Sequence, residues 1–165
     1  MPDRTAPAKT TFAREYLSAD ERRFEFVNAD EIAGGLRTPS NFLAARIMLM
    51  RIDELVSANA DFVIETALAN PTYAQKIPLW QRQGYRISLI YIHLNSVDVS
   101  FARVRKRVEA GGHDIPASVL RRRFDRSQEY FATVYKPPAD SWYEWDSDEG
   151  AFSLRNSGGR HESES

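Results

Sequence analysis

The feature that most constrains folding is an alternation of short apolar runs, the first two ending in amide or acidic side chains, with helical stretches between them. Phe24 to Asn28 is the first run and passes into Ala29-Asp30. Asp61 to Thr66 is the second and carries Glu65 at its end. Between them, Gly34, Gly35 and Pro39 break the chain. Asn41 to Ser57 then has helical spacing, with Phe42, Ala45, Ile47, Leu49, Ile52, Leu55 and Val56 expected to make a broad apolar face. Strands alternating with helices build a parallel sheet covered on both faces, and the loops after its strands open on one rim. Asp30 and Glu65 are therefore expected on the same rim.

Farther along, a helix is expected from Asn70-Pro71 to Gln83, stopped by Gly84. Arg86 to Leu94 (RISLIYIHL) is the most β-branched and aromatic run, and its apolar character on both faces predicts burial on both. Two basic helices follow, Val97 to Ala110 and Pro116 to Tyr130, with Pro116 suited to a first turn and His113 shaping the turn between them. Ser141 to Trp145 is a last strand, with Trp142 and Trp145 as core or wall. Residues 154–165, rich in Ser, Gly and Glu, are expected to be a disordered tail.

With 165 residues, 42% of them hydrophobic, one core and a single domain are the default. Without cysteine there is no disulfide, thiolate catalysis or cysteine-bound zinc, so any metal must be held by oxygen or by the three histidines. No apolar run nears the roughly 20 residues of a membrane span, and no apolar leader is visible, so a cytoplasmic location is expected.

Lys9-Thr10-Thr11, at the start of a helix running to about Ser18, reads as the back half of a phosphate-binding loop. The lysine would reach the β/γ-phosphates and the Thr10 hydroxyl would hold Mg²⁺. Plain N-terminal capping is the competing reading. Asp3, Ala6, Pro7 and Ala8 stand where such a loop wants glycines. Joined to Asp30, Glu65 and the crowded Arg103, Arg105, Lys106, Arg107, Arg121, Arg122, Arg123 and Arg126, the inventory is that of phosphoryl transfer.

The runs KTTFAREYL, EFVNADEIAGGL, FVIETAL, GYRISLIYIHL, FARVRKRVEAGGHDIPASVLRRRFDRS and WYEWDSDEG, in this order from Lys9 to Gly150, resemble the zeta toxin-like family of P-loop kinases. The resemblance implies an α/β, P-loop NTPase-like three-layer sandwich on a mostly parallel sheet, here lacking the usual first central strand. It implies a kinase domain over 9–153 with a helical lid at about 97–130, residues 1–8 being divergent. It further implies transfer of the γ-phosphate of ATP, with Mg²⁺, to a hydroxyl of a nucleotide sugar such as UDP-N-acetylglucosamine. Carried over by position, Asp30 matches the general base and Glu65 an acceptor contact. Lys9, Thr10, Thr11 and Arg103 match nucleotide-binding positions, with Thr10 also on the metal, and Arg107, Arg123 and Arg126 are candidates to clasp the γ-phosphate.

The missing strand and glycines predict weak ATP binding, and the abrupt change near Lys9 points to a misplaced start or an upstream frameshift. A second reading is a non-catalytic remnant that binds a partner such as an antitoxin. A nucleic-acid module built on the arginines is a third, disfavoured by Glu109, Asp114 and Asp125 among them.

Overall fold

The computed structural model describes residue 12 and residues 24–35, 41–94, 116–148 and 151–160. Apart from Phe12, the expected first helix lies outside the described residues, as do the basic helix Val97 to Ala110 and His113. The chain divides into two compact units, one of Phe12–Thr66 and one of Ala67–Ser165 together with Met1–Thr11.

In the first unit, β1 (Glu25–Asn28) and β2 (Phe62–Glu65) pair in parallel, with Val27 opposite Ile64 and Asn28 opposite Glu65. Helix α1 (Ala29–Gly34) starts directly after β1, and α2 (Asn41–Ser57) covers the distance to β2, with the same bounds that periodicity predicts. The buried stripe of α2 is Ala44, Met48, Ile52 and Leu55, at spacings of four, four and three. Burying each of the three large side chains contributes about 1.5–3 kcal/mol.

This face is narrower than expected: Phe42 and Ala45 are exposed, and Ile47, Leu49 and Val56 are half-buried. The helix packs on β1 and α1, and packing on them buries one stripe among the described residues. Its C-terminus closes where Asn59 takes φ 51° and Ala60 N–H reaches back to Leu55 O at 3.0 Å, a 6→1 bond that satisfies an orphan carbonyl.

In the second unit, α3 (Ile77–Arg82) forms only after a run of turns, shorter than the helix expected from residue 70. Asn70 Oδ1 accepts the Thr72 N–H at 3.0 Å, which holds the chain in a turn instead. The stop at Gly84 is as expected, with φ 93° and the Tyr85 N–H bonded to Trp80 O.

The sheet here is β3 (Ser88–Leu94), β4 (Ser141–Asp148) and β5 (Ala151–Gly159), in the order β3-β4-β5, parallel then antiparallel. Helix α4 (Ala117–Tyr130) follows Pro116 and passes into a π-helical turn, Phe131–Tyr135. Among the described residues the strands therefore make two small sheets, one parallel and one mixed, not one sheet.

Two further expectations are corrected. From Ser88 to His93 no side chain of β3 is fully buried, because among the described residues β3 has a ladder neighbour on one side only. The tail expected to be disordered from 154 onward is instead strand as far as Gly159. Its Ser/Gly composition reflects close packing. A Cβ at Gly158 would stand 2.5 Å from the Trp142 ring, and one at Gly159 would collide with the Asp140 carbonyl oxygen. Arg155 is an extra residue between Leu154 and Asn156 opposite Trp145 and Glu144, a bulge of the kind that blunts an edge strand.

Candidate functional site at the ends of two parallel strands

The register of β1 against β2 decides the geometry. Asn28 and Glu65 are the last residues of their strands and lie directly opposite each other. Residues opposed in register project from the same face, and the Asn28 Nδ2 amide donates to Glu65 Oε2 at 3.1 Å. Both side chains are half-buried. Asp30 follows two residues later, in the first turn of α1, so both strand ends that carry a candidate carboxylate lie at the same end of the parallel pair.

The arginine helix α4 lies in the other unit. None of its residues is fully buried, and its half-buried positions are Val119, Leu120, Phe124, Ser127 and Tyr130. These define its inner side, which the Ser127 hydroxyl ties to β3 through the Tyr91 hydroxyl at 3.1 Å. Arg123 stands four residues from both Val119 and Ser127, and Arg126 stands four residues from the exposed Arg122 and from the half-buried Tyr130. Both Arg123 and Arg126 are exposed. Lys9, Thr10, Thr11, Arg103 and Arg107 lie outside the described residues.

Sequence reasoning missed a second charged cluster. Glu144, in the middle of β4, accepts from Lys136 Nζ at 2.8 Å and bonds His93 Nε2 at 2.9 Å. Its side chain is 13% exposed. Burial works to raise the Glu144 pKa, but the hydrogen bonds and charges of Lys136 and His93 outweigh it and hold the carboxyl below its ordinary range. Lys136 also sits 3.4 Å from the centroid of the Trp142 ring, and the Tyr91 and Phe131 rings stack at 4.4 Å.

Each ring or charged tip in this cluster has its partner inside the cluster, joining β3, β4 and the π-turn. That is the arrangement of an internal strut. A lone histidine and a lone glutamate 51 residues apart give no sequence signal for it. Asp140 is another junction, accepting from Ile87 N–H at 2.7 Å and Gln81 Nε2 at 3.0 Å. Burial would raise its pKa, and these bonds with the charges of Arg160 and Arg86 lower it overall.

Among the described residues no group of three or more His, Asp or Glu side chains comes together as a metal site, and no helix is long and apolar enough to cross a membrane. A family model described as Zeta toxin matches residues 40–139, more than half of the chain. Glu65, Arg103, Arg107, Arg123 and Arg126 fall inside that match, and Lys9, Thr10, Thr11 and Asp30 precede it. An "Uncharacterized protein" of Haemophilus influenzae is 28% identical over 69 residues, which is 42% of this chain and 49% of that protein. The match thus spans about half the length of that relative. No solved structure matches the chain.

Proposed function

The chain belongs to the Zeta toxin family, and on that premise we propose that it is a small-molecule kinase. It moves the γ-phosphate of ATP to a hydroxyl of a nucleotide sugar of the UDP-N-acetylglucosamine type. The observation that carries the reading is the register that opposes Asn28 and Glu65 at the ends of parallel strands, with Asp30 two residues on.

In this reading Asp30 is the general base. A carboxylate is ionised near neutrality and needs only hydrogen-bond reach to take the acceptor's hydroxyl proton. As that proton leaves, the hydroxyl oxygen bonds to the γ-phosphorus and the bond from phosphorus to the ADP oxygen breaks. Glu65 accepts a hydrogen bond from the acceptor and orients it. Lys9, Thr10, Thr11 and Arg103 bind the triphosphate, and Mg²⁺, which would neutralise phosphate charge, falls to Thr10. Of the lid arginines, Arg107, Arg123 and Arg126 are the candidates to clasp the γ-phosphate.

The test is a calorimetric titration of the chain with Mg·ATP and with UDP-N-acetylglucosamine, followed by mass spectrometry of the sugar nucleotide after incubation with both. A gain of one phosphate is expected. Glu65→Gln should weaken sugar-nucleotide binding about tenfold, roughly 1.4 kcal/mol, and leave ATP binding unchanged. Failure of both ligands to bind would overturn the kinase reading. The residues ahead of Lys9 favour one alternative, a non-catalytic chain that binds a partner such as an antitoxin, since Pro7 offers no N–H and Ala6 and Ala8 disfavour φ > 0. It predicts a folded protein that binds no ATP.

A further inference from the structure

We propose that Asn28 is the positioning residue of the acceptor site, its side-chain amide holding the Glu65 carboxylate in place to receive the acceptor hydroxyl. The inference rests on the kinase reading above.

Three observations carry it. The first is the reach of the Asn28 side chain. What that side chain does is visible: it crosses to the neighbouring strand and donates to Glu65 at 3.1 Å.

The donor is also of a particular kind. An amide N–H cannot hand over its proton, so it fixes the carboxylate while leaving it charged and still an acceptor. Glu144 differs, being held by an ammonium and an imidazole that offset its charge. Finally, the Asn28 and Glu65 side chains are half-buried, not enclosed, and they stand on the strand ends beside Asp30. A bond made only for packing would serve as well anywhere along the ladder. At this position it sets the direction of a group at the rim.

The test uses the full chain with UDP-N-acetylglucosamine as probe, measuring affinity by calorimetry and folding by thermal melting. Asn28→Val suits the strand better than asparagine and removes the donor. The expected result is a chain that still melts cooperatively, with an affinity about tenfold weaker. Combining it with Glu65→Gln should add little, because both changes remove one coupled interaction.

Asn28→Asp supplies a second, more conservative variant. It places two carboxylates within hydrogen-bond reach, where like charges keep one of them protonated as pH falls. Its affinity should be weak at about pH 8 and recover toward about pH 5, as a shared proton restores the link, while that of Asn28→Val stays flat. If the parent binds the probe and Asn28→Val binds it equally well, or if the double variant is additive, the positioning role is overturned and the kinase reading stands. If the parent binds neither the probe nor Mg·ATP, the kinase reading itself falls and the role of Asn28 falls with it.

Discussion

Glu65 and Glu144 make an instructive pair. Each lies on a parallel strand and receives a side-chain hydrogen bond from the strand beside it, Glu65 from Asn28 and Glu144 from His93. Glu65 is the last residue of β2, half-buried, with a neutral amide as donor. Glu144 sits within β4, nearly enclosed, with Lys136 as a second partner under the Trp142 and Phe131 rings. The same chemical group serves different ends because of where the ladder delivers it. Inside the ladder a carboxylate bound to a lysine and a histidine ties elements together, whereas a strand's C-terminal end is where parallel sheets put their ligands.

The largest test of that contrast removes each carboxylate in turn. Glu144→Ala leaves Lys136 and His93 in a half-buried site without their acceptor and should destabilise the protein by about 2–4 kcal/mol. Glu65→Ala should cost less than that, since Glu65 is half-buried at a strand end and not enclosed within the ladder. Urea denaturation of the two variants measures the difference, and equal losses would erase the distinction.

Next in size is Gly159→Ala. A Cβ there meets the Asp140 carbonyl oxygen, a backbone atom that cannot swing away, and overpacking of this kind costs about 1–3 kcal/mol. The loss should be accompanied by faster amide exchange along β5. Unchanged exchange would show that the tail does not depend on this close approach.

The smallest effect is in pH. The Glu144 carboxyl has a folded pKa below its ordinary value, which for glutamate is about 4.3. Its contribution to stability is therefore fully present above that value and is lost as pH falls through the lower, folded pKa. Asp140 is shifted in the same direction and adds to the acid loss. Melting temperatures should fall below about pH 4.3, and Glu144→Gln should show a shallower fall than the parent. An identical acid profile in the variant would mean the strut is not what titrates.

Much of the local structure is legible in the sequence because it depends on near neighbours. The bounds of α2, the left-handed stop at Gly84, and both short strands follow from periodicity, glycine and β-branching. Errors occur where a partner distant in sequence decides. Gly158 and Gly159 read as a loose tail until Trp142 and Asp140 are seen against them. The broad face expected of α2 narrows because its width is set by β1 and α1, on which it packs. His93, Lys136 and Glu144 have no meaning apart until β3, β4 and the π-turn bring them together.

The site divides in the same way. By itself the sequence determines which side chains are on offer and that one short strand ends in an amide and the other in an acid, since strand type and length follow from local pattern. Only the tertiary structure decides that β1 and β2 run parallel with Asn28 opposite Glu65. Register is a relation between segments 37 residues apart, and a slip of one residue would turn Glu65 to the other face.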